Sequence, residues 1–129
     1  MLNKDQILKA DDLKTSIEDV PEWGGKVKIK QMTGSERDAF EQATYRKNGK
    51  DYEVNMKDMR ARLCASCIID DKGVRIFDDA DIVELSKKSA IVLDRLFTAC
   101  QELNSLSQKD VEELGKELGQ TQTDGSISV

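Results

Sequence analysis

The chain contains no histidine, one proline, three cysteines and few aromatic residues, which make up 5% of its 129 residues. Without histidine there is no Ser/His/Asp or Cys/His catalytic set and no imidazole ligand for a metal ion. The sequence also contains no G-x-S-x-G, G-x-x-x-x-G-K-[ST] or G-x-G-x-x-G motif. These absences favour a protein that is not an enzyme, and no pattern in the sequence indicates a cofactor.

No apolar run approaches the length of a membrane span, and residues 1–6 lack the long apolar core of a signal peptide. The formal net charge of −5 repels phosphate backbones and anionic membrane surfaces. We therefore expect no nucleic-acid partner, no membrane association, and residence in the cytoplasm where the chain is made.

The three cysteines, Cys64, Cys67 and Cys100, cannot all pair within one chain and are expected to be free thiols. Cys64 and Cys67 form a C-x-x-C, a spacing that also occurs in redox and zinc sites. Because it lies inside R-L-C-A-S-C-I-I, we interpret both as small buried hydrophobes on a helix face. A redox or metal enzyme using these thiols stays a less favoured alternative.

Five aspartates between residues 70 and 81 invite a calcium hypothesis. Their spacing misses the D-x-D-x-D-G loop and its closing glutamate. Turn and helix-capping roles fit them better, and the sequence predicts no metal site from Asp70, Asp71, Asp78, Asp79 and Asp81.

What is present predicts an α+β, mainly α-helical fold, in which an N-terminal β-hairpin precedes a compact bundle of four to five helices. Pro21 and the Gly24-Gly25 pair form the turn of a hairpin over about 15–31. Val27 and Ile29 alternate with Lys26, Lys28 and Lys30, so the lysines should keep one face wet. Before the hairpin, residues 3–13 should hold a short helical turn with Ile7 and Leu8 facing inward.

Thr33 and Glu36 form a capping box that starts a helix over about 35–47, which Asn48-Gly49 ends. Residues 50–54 should be a polar, mobile loop. A second small hairpin is expected at 67–77 around the Asp-Asp-Lys-Gly turn. Further helices are predicted at about 55–68, 79–87, 89–106 and 107–118. The first of these should bury a stripe of side chains at helical spacing: Met56, Met59, Leu63, Cys64 and Cys67. The helix over 89–106 has the widest apolar arc and should be central.

These elements form a single domain over residues 1–119, and residues 120–129 should be a flexible polar tail because they contain too few apolar groups to offset ordering entropy.

Four segments of the sequence, in this order, carry a resemblance to a known protein family. They are V-P-E-W-G-G-K-V-K-I-K-Q-M-T-G-S-E-R-D-A-F-E, R-A-R-L-C-A-S-C-I-I-D-D-K-G-V-R-I-F, L-S-K-K-S-A-I-V-L-D-R-L-F-T-A-C-Q-E-L-N-S-L-S and D-V-E-E-L-G-K. Together they resemble the tail assembly chaperones of long-tailed bacteriophages with non-contractile tails. The likeness extends from Ile7 to Leu118.

The resemblance implies a non-enzymatic protein that binds the tape measure protein, keeps it soluble, recruits tail tube protein around it and is absent from the mature virion. It also implies action in the host cytoplasm, self-association into a homo-oligomer, and a frameshift-extended form that contacts the tail tube protein. It supplies no catalytic residues. A structural virion protein of the phage neck or head-tail junction is the alternative.

The contact candidates are Trp23, Val27, Ile29 and Phe40, because aromatic and aliphatic anchors dominate interface energetics. For Trp23, a role as a plain core anchor is the slightly favoured alternative.

Overall fold

A computed structural model describes residues 1–49 and 51–106. The amino-terminal half contains, in chain order, α1 (Lys4–Lys9), β1 (Thr15–Val20), β2 (Gly25–Lys30), α2 (Gly34–Thr44), β3 (Tyr45–Asn48) and β4 (Asp51–Val54). The other elements are α3 (Met59–Cys67), β5 (Ile68–Ile69), α4 (Ile82–Leu85) and α5 (Ala90–Leu103). This arrangement confirms the predicted α+β, mainly helical class. The predicted helix over 107–118 and the tail over 120–129 lie outside the described residues.

The predicted hairpin is present, and it belongs to a three-stranded antiparallel sheet in the order β1-β2-β5. β1 pairs with β2 along its whole length, from Thr15 opposite Lys30 to Val20 opposite Gly25. Val20, Ile29 and Ile68 project from one face of this sheet and are almost completely buried. That face carries the sheet's share of the hydrophobic core, and α5 packs against both β1 and β2.

α5 is the central helix, as its wide apolar arc predicts. Ser89 caps its first turn, and the helix packs along α3. Its buried apolar side chains are Val92, Leu93, Leu96, Phe97 and Cys100. At its end, Leu106 N–H donates to the carbonyl of Gln101 at 2.7 Å and Ser105 N–H donates to that of Glu102 at 3.2 Å. These two bonds form a Schellman motif, with Ser105 left-handed at φ +54°.

Lys30 departs from the prediction that the hairpin lysines form a wet face. Its side chain is buried and its ammonium group pairs with the carboxylate of Glu36. Glu36 also accepts from the backbone N–H of Thr33 at 2.9 Å and so completes the predicted capping box of α2. One carboxylate therefore caps the helix and neutralises a buried cation.

The predicted polar loop is wrong over 51–54, the part of it that the structure describes, and so is the extension of α2 to residue 47. The helix ends at Thr44, and β3 and β4 form an antiparallel hairpin with Tyr45 opposite Val54 and Asn48 opposite Asp51. Gly49, with φ +68°, stands at the turn. Tyr45, the first residue of β3, is buried in the core. Burial of this side chain favours the extended backbone over a further turn of α2.

The second small hairpin is reduced to β5, which pairs with β2, and to one bridge between Ile69 and Arg75. Its turn is the predicted one: Gly73 N–H donates to the carbonyl of Asp70 at 3.1 Å, with Gly73 at φ +84°. Asp78 and Asp81 then form a capping box at the start of a 3-10 turn, Asp79–Asp81, that leads into α4. The helix predicted over 79–87 thus consists of two short pieces.

Two predicted inward faces are corrected. α1 exists, but Ile7 is 57% exposed and Leu8 is 72% exposed, because no described element covers the helix. α3 begins at Met59, so Met56 lies ahead of it and is exposed, whereas Met59, Leu63, Cys64 and Cys67 form the predicted buried stripe.

Candidate partner-binding surface

The only tryptophan lies at the tip of the β1–β2 hairpin. Pro21 starts a 3-10 turn, Pro21–Trp23, and Gly24 closes it with φ +81° and an N–H bond of 3.0 Å to the carbonyl of Pro21. An L side chain rarely adopts that φ, so the turn requires glycine. The turn holds the indole of Trp23 half-buried against the core.

An ion pair ties this turn to α5. The Arg95 guanidinium donates to the carboxylate of Glu22, and about half of each side chain is exposed. The hydrogen bond from Arg95 lowers the pKa of Glu22 below its usual 4.5. The pair fixes the orientation of the turn that carries Trp23, although an exposed pair of this kind contributes little to stability.

Trp23, Phe77 and Leu85 form the apolar lining of a surface pocket of about 230 Å³. Asp81, Glu84 and Lys88 also line it and supply its charged groups. We call this site the Trp23 pocket. Its volume lies below the roughly 300–1,000 Å³ of small-molecule sites, so it has the size to receive apolar side chains of another polypeptide.

The structure separates the four predicted contact residues. Trp23 and Val27 are half-buried at the edge of the core, so part of each side chain is available to a partner. Ile29 is 0% exposed and Phe40 is 5% exposed. Ile29 is enclosed by the chain's own core, whereas Phe40 lies in the wall of a surface pocket of about 280 Å³. The contact role stays a prediction: the burial of Ile29 disfavours it for that residue, and the accessible parts of Trp23 and Val27 allow it.

Sequence reasoning missed most of the accessible apolar surface. Besides Ile7 and Leu8, the large exposed apolar side chains between residues 17 and 91 are Ile17, Val54, Met56, Val74, Ile76, Val83 and Ile91. The signal available for α1 was its length, since a helix of six residues followed by Asp11-Asp12 offers little to anchor it to a core.

A polar clasp joins the end of α5 to the turn between β2 and α2. The side-chain oxygen of Asn104 accepts from the N–H of Met32 at 2.7 Å, and its amide nitrogen donates to the carbonyl of Cys100 at 2.9 Å. Gln31 donates to the carbonyl of Leu103 at 3.0 Å. A cavity of about 410 Å³ lies beside this clasp. Because the polar groups of the clasp bond one another, we assign it a structural role.

The sequence profile of the family described as phage tail assembly chaperone matches residues 6–117. The chain is a member of this family. The match confirms the family resemblance of the four sequence segments, and it gives the protein a chaperone role in phage tail assembly. The family is an assembly-chaperone family and not a known class of enzyme.

Among solved structures, the fold of this chaperone is similar to one described as the structure of bacteriophage HK97 tail assembly chaperone. The TM-score is 0.54 at 17% identity, and the match covers 81% of this chain and 95% of that chain. At this identity the likeness shows a shared fold. No curated protein sequence matches the chain.

The thiols of this chaperone lie in its core. Cys64, Cys67 and Cys100 are all 0% exposed, as the reading of the C-x-x-C as buried hydrophobes predicts. Hydrogen bonds with Cys64 and Cys67, and then burial, raise the pKa of Cys100. The hydrogen bond from Cys100 lowers the pKa of Cys67. Since water does not reach them, these groups are packed as core residues and not presented to a substrate.

Across residues 1–49 and 51–106, no group of three or more potential ligands is arranged to hold a metal ion. Asp70 instead accepts from the N–H groups of Lys72 and Val74 at 2.8 and 3.0 Å. In the same part of the chain, no helix combines the length and apolarity needed to cross a membrane.

Proposed function

We propose that this chaperone binds the tape measure protein, keeps it soluble in the host cytoplasm, promotes assembly of the tail tube around it, and leaves before the virion is mature. Family membership supports the setting. The observation that supports binding most directly is the number of large aliphatic side chains that the fold leaves in water. Accessible apolar surface is what a protein requires to shield a sticky polypeptide from aggregation.

The acidic balance of the chain supports the same proposal. A net charge of −5 keeps a protein with exposed aliphatic groups soluble through mutual repulsion of its copies. A binder of this kind needs no reactive centre, and the thiols that could have supplied one are sealed in the core.

Self-association and contact with the tail tube protein belong to this proposal. Trp23 and Val27 are the contact candidates that remain accessible. A frameshift-extended product would make the contact with the tail tube protein. The DNA feature that would support such a product is a slippery heptamer near the stop codon, together with an overlapping reading frame ahead of a very long coding region.

Co-expression tests the proposal directly. The tape measure protein is produced alone, with this chaperone, and with an unrelated acidic domain of similar size as the control. We expect tape measure protein in the soluble fraction, and co-purification of the two, only when the chaperone is present. Equal solubility of the tape measure protein in all three cultures would refute the proposal that the chaperone keeps it soluble.

Mass spectrometry of purified virions tests departure from the particle. We expect the chain in lysates of infected cells and not in the particles. Abundant copies in virions would instead support a structural protein of the neck or head-tail junction.

A further inference from the structure

β1 is an edge strand, and within the part of the chain that the structure describes its outer side carries unpaired backbone groups. It stands first in the order β1-β2-β5, so β2 lies along only one of its sides. Just ahead of it, the N–H of Gln31 donates to the carbonyl of Lys14 at 2.9 Å, and in an antiparallel ladder such bonds recur at every second pair. The β1 residues whose N–H and C=O groups point away from β2 are therefore Thr15, Ile17 and Asp19.

The other side of the sheet has the same alternation. Lys28 lies between Ile17 on β1 and Ile69 on β5. Ile68 accepts from the N–H of Ile76 at 3.2 Å, so its neighbour Ile69 directs its own backbone groups toward β2. The backbone of Lys28 therefore bonds Ile69 and cannot also bond Ile17. The described strands leave the N–H and C=O of Ile17 available to a strand on the open side.

β1 lacks the usual protection of an exposed edge. Natural edge strands are commonly blocked by proline, lysine, a bulge or a covering element. The six residues of β1 include neither proline nor lysine, and their pairing with β2 runs from Thr15 to Val20 without a bulge. Ile17 is 62% exposed, and Thr15 and Asp19 are exposed as well. Such an edge is a template for a further strand.

The charges of β1 indicate which kind of strand can add to it. Its only charged side chains are the carboxylates of Glu18 and Asp19. A second copy of the chain would bring the same two carboxylates and a net charge of −5 to this edge, and like charges on neighbouring strands are destabilising. A strand that carries lysine or arginine is favoured instead. The exposed side chain of Ile17 offers an apolar contact to an aliphatic or aromatic residue of that strand.

We propose that an extended segment of a partner protein, with basic residues among apolar ones, adds to β1 as a fourth strand of the sheet. Backbone hydrogen bonds at Thr15, Ile17 and Asp19 supply the affinity, and the two carboxylates of the strand supply the preference for basic segments. Under the proposed function, on which this inference rests, the partner is the tape measure protein.

Hydrogen exchange resolved to single amides tests this contact on the complex of the full chain with the tape measure protein. We expect exchange at Thr15, Ile17 and Asp19 to slow at least about tenfold on binding, since each amide gains a hydrogen bond. Ser16 and Glu18 already bond β2, so their exchange should change less. This alternation distinguishes an added strand from side-chain contact, which would not follow a period of two residues.

Ile17→Pro is the decisive variant. It removes an outward N–H and places a ring on the open side of β1, while the bonds between β1 and β2 stay intact. We expect the recovery of co-expressed tape measure protein on the tagged chaperone to fall at least about tenfold. Ile17→Thr is the matched control, because it keeps the N–H and the β-branched shape and should retain most of the binding. Melting temperatures identify any loss of fold, and if Ile17→Pro does not fold, exchange on the wild-type complex decides.

A pair of charge reversals tests the preference for a basic segment. Asp19→Lys should reduce the recovery of tape measure protein at least about threefold. Asp5→Lys makes the same change in net charge on α1, where the side chain is 81% exposed, and should have less effect. Equal effects of the two reversals would contradict a basic partner strand.

The possible failures are distinguishable. Tape measure protein that stays bound to Ile17→Pro, with unchanged exchange at the three outward amides, would overturn the inference and leave the proposed function standing. Slow exchange at these amides in the free chain, unaltered by binding, would mean that a second copy or another part of this chain occupies the edge, which also overturns it. If the wild-type chaperone forms no complex with the tape measure protein, the proposed function fails together with the inference.

Discussion

Lys30 places an ammonium group inside the fold, where its partner is the carboxylate of Glu36. Replacing Glu36 by Gln keeps an acceptor for the N–H of Thr33 but leaves the buried cation without a counter-charge. We expect a loss of about 3 kcal/mol of unfolding free energy, since breaking a buried pair from one side is strongly destabilising. Chemical denaturation measures it.

The matched control is Asp19→Asn on the same hairpin. Asp19 pairs with Lys26 at 3.3 Å, but both side chains are mostly exposed, so the change should stay within about 0.5 kcal/mol. A similar loss of unfolding free energy in both variants would show that the buried ammonium group of Lys30 does not require the carboxylate of Glu36 as its counter-charge.

The same pair predicts an acid dependence. Burial raises the pKa of Glu36, but hydrogen bonds from Lys30 and Thr33 outweigh it and bring the pKa below the usual 4.5. A carboxyl with a depressed folded-state pKa stabilises the fold above its unfolded pKa and loses that contribution as the pH falls through the folded value. Wild-type stability should therefore decline below about pH 4.5, and Glu36→Gln should decline less over the same range.

Ser105 adopts a left-handed conformation that most residues avoid. It stands at the C′ position of α5 with φ +54°. Ser105→Gly removes the steric cost of its Cβ, and we expect a net gain of about 0.5–1 kcal/mol after the added freedom of the unfolded chain is counted. The melting temperature measures this gain. Ser86→Gly, at φ −67°, is the control that should gain nothing.

At the scale of elements, Arg62 holds the β3–β4 hairpin against the helices. Its guanidinium donates to the carbonyls of Lys57 and Asn55 and, at 3.3 Å, to the hydroxyl of Thr44. Lysine has no planar fork and cannot reach these acceptors together. We expect Arg62→Lys to cost about 1–2 kcal/mol and to accelerate amide exchange over residues 45–54. Arg60→Lys, in the exposed pair with Asp94, is the control and should change neither.

The β3–β4 hairpin also shows a limit of prediction from local sequence. Asn-Gly favours left-handed backbone, which both a helix end and a hairpin turn use. The sequence alone supports either reading of Asn48-Gly49. The burial of Tyr45 and the hydrogen bonds of Arg62 favour the hairpin turn over a helix end, and both depend on residues that only the fold brings together.

Elements with their own capping and periodicity were predictable. Thr33 with Glu36 starts α2, Ser89 starts α5, and the apolar arc of α5 is buried where its spacing indicates. The candidate site was predicted only in part. Trp23 in its Pro/Gly turn was identified, but Phe77 and Leu85 lie more than fifty residues away in sequence, and only tertiary packing brings them to it.

At the scale of the whole molecule, the three thiols report on the integrity of the core. Cys64 and Cys67 lie on α3 and Cys100 on α5, and all are sealed where the two helices pack. A thiol reagent in water reaches them only when those helices separate. Because α5 also packs against the sheet, that separation is global unfolding and not a local opening.

We therefore expect all three thiols to react with one apparent rate, with the same denaturant dependence as global unfolding. Quantitative labelling with a thiol reagent, followed by peptide mass spectrometry, gives the rate at each cysteine. Ser35→Cys, which adds a thiol at an exposed position of α2, should react at once and sets the rate for a freely accessible group. Fast labelling of Cys64 or Cys67 alone would reveal an accessible reactive pair and would revive the redox alternative. A single slow rate means that these sulfurs serve only to fill the core, which leaves the exposed surface as the part of this chaperone that acts.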